Sequence, residues 1–256
     1  MEIYYHIMFF IVGTIFGSFY NVVGTRIPNN LSIVKPGSHC EYCNHELSWY
    51  ELIPIFSYIF LKGKCKECHH KLSIFYPFTE IATGLLFLVS FHSFGFSLDL
   101  LTSLTLVSTF IIIIVSDINY LIIPDRFIII PSILIIIIDL FNIGLLNTII
   151  QIGYGILGFT LMYLVMLLGN KLFKKESLGG ADIKLMFLIG LVLDPMLTII
   201  VLFLASFIAL IPSIYLLYKN KEHIVPYGPF LMIGLLIVYF TKLNIIEIFE
   251  KILKII

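Results

Sequence analysis

Two aspartates and four cysteines carry most of the chemistry this chain can offer. Asp182 lies in Leu178-Gly-Gly-Ala-Asp-Ile-Lys-Leu185, where one long apolar segment has ended in a short basic loop and another begins. Asp117 closes the apolar run from Leu98 to Ser116. A carboxylate at membrane depth costs roughly 2.5–3.5 kcal/mol at a helix centre and less near an interface, so each needs a reason to be there. Two aspartates brought together from separate segments can share a proton and activate a water. A second reading makes Asp182 a helix cap, with Gly179 and Gly180 present for tight packing. Spacing alone leaves both standing.

The cysteines fall in two pairs, Cys40-x2-Cys43 and Cys65-x2-Cys68, with twenty-one residues between them. Two such knuckles form a zinc-ribbon pattern, each presenting two thiolates to one corner of a tetrahedron. Disulfides are the alternative, but a cytoplasmic location keeps thiols reduced. His39, His45, His69 and His70 lie near enough to be substitute ligands, although four cysteines already complete a site. The surrounding segment, about residues 26–75, has too few apolar residues to build its own core, so a metal staple suits it.

The elements that must position these groups are membrane spans. Of 256 residues 59% are hydrophobic and 12% charged, and the mean hydropathy is +1.04. That describes an all-α polytopic membrane protein, and the zero net charge argues against a nucleic-acid footprint. Eight spans are expected, roughly 3–23, 76–92, 98–116, 127–145, 149–169, 183–199, 200–218 and 228–246. Glu2 stands where a signal peptide would be basic, so the first run reads as a retained helix. With the N-terminus outside, all of the sixteen basic residues except Lys242, Lys251 and Lys254 fall on inner loops. The positive-inside rule therefore puts Asp117 and Asp182 at the cytoplasmic border, with Asp99, Asp139 and Asp194 towards the other face.

Several flanking residues have structural explanations. Gly13 and Gly17 have the spacing of a helix-packing face. Asn21, followed by Arg26-Ile-Pro28, is positioned to anchor the loop that follows. Leu47 to Tyr58 is aromatic enough to lie against the membrane or the bundle. Glu80 reads as a first-turn charge at the start of the second span. Pro124 reads as the first residue of the next helix, with Asp125 in its first turn. Asp117 lacks such an explanation, because a negative charge at a helix end opposes the dipole. Val225-Pro-Tyr-Gly-Pro-Phe230 is a rigid turn into the last span.

Taken in order, these pieces resemble the bacterial type IV prepilin peptidase family, aspartic proteases of the GxGD class. The resemblance rests on Gly17-Ser-Phe-Tyr-Asn-Val-Val23 with Arg26-x-Pro28, and on the two cysteine pairs bracketing Leu47-Ser-Trp49 and Ile53-Pro-Ile-Phe-Ser-Tyr58. It continues through Tyr76-Pro-x-x-Glu80, Asp117 with Ile123-Pro-Asp125, Gly179 to Leu185, and Pro226-Tyr-Gly-Pro-Phe-Leu231. Ala181 stands where GxGD has its second glycine. It is the smallest replacement, and altered flexibility is expected there, not lost activity.

The resemblance implies a bundle of about eight transmembrane helices with a small zinc-ribbon-like cytoplasmic loop, in the bacterial inner membrane. It implies Asp117 and Asp182 as the catalytic pair, supported by Asp125, Gly179, Gly180, Lys184 and Glu80. The substrates would be type IV prepilins or pseudopilins, losing a basic leader. S-adenosylmethionine would be the cofactor of a second step, methylation of the exposed N-terminus. No glycine-rich dinucleotide fingerprint is present, so that step rests on the resemblance alone. Residues 1–75 are expected to hold the first span and the cysteine loop, and residues 76–256 the peptidase core. Methylation would then depend on the first segment, with Asn21, Glu51 and Glu80 as nearby polar groups. A transporter with paired aspartates would place charge nearer the midplane and show symmetric halves. A third possibility is an assembly scaffold with a zinc-stapled docking loop.

Overall fold

The computed structural model describes residues 2–174, 178–218 and 226–241. Lys175, Lys219, Lys221, Val225 and the expected end of the last span at 242–246 lie outside the described residues, as do Lys242, Lys251 and Lys254. The described chain is helical and divides into two compact units, Met1–Phe127 and Ile128–Ile256.

In the first unit, α1 (Glu2–Arg26) leads into the cysteine loop, which holds a 3-10 turn at Trp49–Leu52 and the short α2 (Phe56–Phe60). Helices α3 (Phe75–Phe94) and α4 (Leu98–Tyr120) complete it. Helices α1, α3 and α4 pack on one another, with Phe9 stacked on Phe91 at 4.5 Å. The α1–α3 crossing is close because of glycine. A Cβ on Gly17 would meet the Glu80 Cα at 2.8 Å, and one on Gly13 would meet the Gly84 Cα at 2.8 Å. The expected small-residue face is thus used for packing. Gly17→Leu is expected to destabilise the protein by about 1–3 kcal/mol through overpacking. Gly37→Leu, where nothing lies within 4 Å, should leave the melting temperature unchanged; thermal melts in detergent check the pair.

Helix α5 (Arg126–Asn142) is followed in the second unit by α6 (Leu145–Phe173), α7 (Gly180–Val192), α8 (Pro195–Tyr218) and α9 (Gly228–Thr241). The short α7 is the centre of this unit, packing against α6, α8 and α9. Its residues Leu185, Met186, Leu188, Ile189 and Leu191 are fully buried. A helix apolar all round belongs in a core.

Among the described residues, eight helices, the short α7 included, therefore stand near the eight expected spans. Four of them, at Ile3–Arg26, Leu98–Tyr120, Leu145–Leu172 and Pro195–Tyr215, are long and apolar enough to cross a membrane unaided, and Gly228–Thr241 is a shorter apolar helix. Two of the boundaries that differ bear on named acidic residues. The expected break at 199/200 falls instead at Leu193–Asp194, because Asp194 caps the next helix. Its Oδ1 accepts the Leu197 amide at 2.9 Å and Pro195 opens α8. Helix α5 begins at Arg126, not at Pro124, so Asp125 sits in the exposed turn before it.

Candidate active site and metal centre

The cysteine loop folds as two copies of one small device. Cys40 N–H donates to the His45 carbonyl and Asn44 N–H returns to the Cys40 carbonyl; Cys65, His70 and His69 repeat the pattern. Asn44 and His69 both adopt positive φ, near 56°, which closes each knuckle. The four sulfurs lie within 4.8 Å of one another, with Cys40–Cys68 and Cys43–Cys65 both at 3.8 Å. A disulfide needs about 2.05 Å, whereas a tetrahedron of Zn–S bonds near 2.3 Å has edges of about 3.8 Å. The donor set fits a tetrathiolate metal site. The amides of Tyr42 and Cys43 pull the Cys40 thiol down to about 7. The His45 amide lowers Cys43, but burial and the neighbouring thiols outweigh it and push that group up to about 12.

Three of the four nearby histidines have other partners. His70 stacks on Tyr42, His39 Nδ1 meets the Gly37 carbonyl, and His45 Nε2 lies 3.2 Å from Glu51 Oε2. Glu51 closes a capping box on Ser48. Burial would raise its pKa, yet the Ser48 amide and His45 hold it below the usual carboxylate value. Arg26, not Asn21, anchors the start of the loop, donating to the carbonyls of Ser32, Pro36 and Gly37, while Asn21 Oδ1 accepts from Thr79 of α3.

A cavity of about 750 Å³ lies between the C-terminal end of α1, the start of α3 and this loop. Glu80 lines it, and here the expectation is corrected. Glu80 is the sixth residue of α3, not a first-turn charge. It is buried and its Oε2 accepts the Ile55 amide at 2.7 Å, with Ser18 as a further hydrogen-bond partner. It ties the loop to the bundle.

Asp117 occupies the last turn of α4 and is 6% exposed. Among the described residues nothing donates a hydrogen bond to its carboxylate, while Leu121, in the left-handed conformation, caps the helix through the Asp117 carbonyl. Asp182 is in the first turn of α7, 9% exposed, where the helix dipole favours a negative charge. Its amide donates to the Gly179 carbonyl at 3.2 Å. A Cβ on Gly179 would lie 3.2 Å from Asp182 Oδ2, whereas one on Gly180 would meet nothing. The two glycines thus differ in role. Gly179→Ala should lower the catalytic rate by pressing on the carboxylate, and Gly180→Ala should leave it near wild type. Initial rates of the leader cleavage that the sequence resemblance implies compare them. Ala181, half-buried in the same turn, favours the helix over glycine by about 1 kcal/mol.

Lys184 is exposed on α7, and it borders an apolar groove between α5, α6 and α7. Residues two apart do not share a helix face, so it is displaced from Asp182 around the helix. Tyr227, quoted in the sequence only within the turn before α9, is part of this neighbourhood. Its hydroxyl shares a hydrogen bond with Ser206 at 2.9 Å. Burial first, and the Asp182 charge in addition, raise its pKa.

These features define a class: a multi-pass helical membrane protein with a carboxylate in the terminal turn of each of two helices and a tetrathiolate loop. Residues 104–214 match the model of the Type IV leader peptidase family, and residues 11–94 match that of the Bacterial Peptidase A24 N-terminal domain. A relative from Bacillus subtilis, named prepilin leader peptidase/N-methyltransferase, is 35% identical over 251 residues, covering 94% of this chain and 96% of its own. One from Vibrio cholerae with the same name is 30% identical over 264 residues, covering 94% and 98%. No solved structure matches. The chain belongs to the type IV leader peptidase family.

Proposed function

We propose that this protein is a membrane-embedded aspartic endopeptidase that removes the basic leader of type IV prepilin-like proteins and then methylates the new N-terminus. The observation that carries the cleavage reading is the pair of buried carboxylates, each in a terminal turn of an apolar helix. Asp117 and Asp182 act as one dyad sharing a proton. The positive end of α7 suits Asp182 to carry the charge and hold a water as base, and Asp117 then donates its proton to the scissile carbonyl. Gly179 gives the Asp182 carboxylate its room, Gly180 opens α7 beside it, Asp125 is a helix-start charge, and Glu80 and Lys184 support the surroundings.

The substrate is itself a membrane helix with a polar leader, so its cleavage point meets the dyad at a membrane border. The basic loops make that border cytoplasmic and the N-terminus external. Cys40, Cys43, Cys65 and Cys68 hold one structural zinc ion, supported by the 3.8 Å sulfur spacing. S-adenosylmethionine, when bound, supplies the methyl group. The first span and cysteine loop, residues 1–75, govern methylation, and residues 76–256 form the peptidase core. The test is a gel shift of a co-expressed prepilin with wild-type protein and with Asp182→Asn. A shift with the first and none with the second is expected. A shift with both contradicts the proposal, and no shift with either favours a transporter or scaffold.

A further inference from the structure

His6 and His92 meet at the end of the first unit remote from the cysteine loop, and the proposed reaction uses neither. His6 lies in the second turn of α1 and His92 in the last turn of α3. From His6 to Arg26 the helix runs about 30 Å, so the pair is distinct from the four-cysteine cluster. His6 Nε2 stands 3.3 Å from His92 Nδ1. That is long for a hydrogen bond, since N–H···O contacts run at about 2.7–3.2 Å. A tetrahedron of Zn–N bonds near 2.0–2.1 Å has edges of about 3.3–3.4 Å. The separation is that of two imidazole nitrogens sharing one ion.

Rigid neighbours set this spacing. The His6 ring stands edge-on to Phe91 at 5.3 Å, and Phe91 stacks on Phe9 at 4.5 Å and meets Phe96 at 5.0 Å. Phe9, Phe91 and Leu100 form a buried cluster, with Tyr5 packed against it. Farther along the same crossing, Gly13 and Gly84 let the two helices approach closely. Ligands on packed helices are held more precisely than ligands on loops. His92 is exposed and His6 half-buried, so an ion has access to the nitrogens from solvent.

We propose that His6 Nε2 and His92 Nδ1 together bind a divalent transition-metal ion of the kind imidazole prefers, zinc in particular, and that the ion clamps α1 to α3. Imidazole nitrogen suits zinc, copper and nickel and leaves magnesium and calcium to oxygen donors. Two waters complete the coordination of an ion held by two protein ligands. Binding takes no net proton from the pair. Each neutral ring carries one proton, which moves to the nitrogen facing away from the ion, Nδ1 of His6 and Nε2 of His92. The orientation proposed above puts this end of the bundle outside the membrane, where the ion would arrive from the external medium. The site is independent of leader cleavage and of methylation.

The test uses the full-length chain in detergent, purified zinc-replete and without a polyhistidine tag, then titrated calorimetrically with zinc chloride. Wild type is expected to take up one zinc ion beyond those it retains through purification. Losing even an outer-shell partner of a ligating histidine costs about 10–100-fold in affinity. His6→Ala and His92→Ala, which each remove a ligand, should therefore weaken this uptake by about a hundredfold or more. An ion that binds only the folded chain must also stabilise it, so added zinc should raise the melting temperature of wild type and of neither variant. His92→Gln keeps a hydrogen-bonding group opposite His6. It should melt with wild type before zinc is added and lose the zinc-dependent rise. Wild type that takes up no further zinc overturns the site. Uptake that persists unchanged in both alanine variants places the ion elsewhere and overturns it equally. A zinc-dependent rise retained by His92→Gln would show that the contact is a hydrogen bond and nothing more.

Discussion

Asp117→Asn and Asp182→Asn are each expected to abolish leader cleavage, with unprocessed prepilin accumulating while the variant remains in the membrane at wild-type abundance. The expected loss is of the order of 10⁴ or more in rate, about 5.5 kcal/mol of transition-state stabilisation. It is so large because a dyad works as a unit: one member without the other can neither hold the water as a base nor protonate the carbonyl. Asparagine is nearly isosteric, so packing around the buried Asp117 and in the first turn of α7 should survive. Asp125→Asn is the matching control. That residue is exposed in the turn before α5, and a helix-start charge is worth about 0.3–1 kcal/mol. Complete loss there with Asp117→Asn still active would show that the wrong member of the pair had been assigned.

Disrupting the four-cysteine cluster should have the second largest effect, and a different one. The loop around it has little core of its own: Tyr42, Trp49, Phe56 and Phe60 are all exposed. Structural zinc in peptides of this kind contributes apparent values of about 10–16 kcal/mol, so metal loss should unfold the loop locally. Elemental analysis of the purified protein should give one zinc per chain. The Cys40→Ser, Cys43→Ser variant should contain none and release prepilin that is cleaved but unmethylated, as read by mass spectrometry of mature pilin. Cleaved and fully methylated product would assign the loop to stability or docking. Intact disulfides with no metal would overturn the zinc site.

The parts of this architecture carried by local sequence were readable in advance, and the parts carried by distant pairings were not. The knuckles follow from cysteine spacing, because each is a turn closed within six residues. The terminal-turn positions of Asp117 and Asp182 follow from where apolar runs stop and start. Asp194-Pro195 is the legible turn between α7 and α8, yet the expected span bounds run past it to 199. Hydropathy stays high across the turn and hides a short buried helix. Glu80 looked like a cap because its actual partner, the Ile55 amide, comes from a loop 25 residues earlier. Tyr227 likewise needed its contact with Ser206 on α8 to stand out.

The most direct measurement of the central claim is single-turnover cleavage of purified prepilin by wild type, Asp117→Asn, Asp182→Asn and the double variant, all in lipid. If the two carboxylates form one catalytic unit, each single variant loses nearly all activity and the double variant is no slower than either. Single variants with partial losses that multiply in the double variant would show two independent contributions and contradict the dyad.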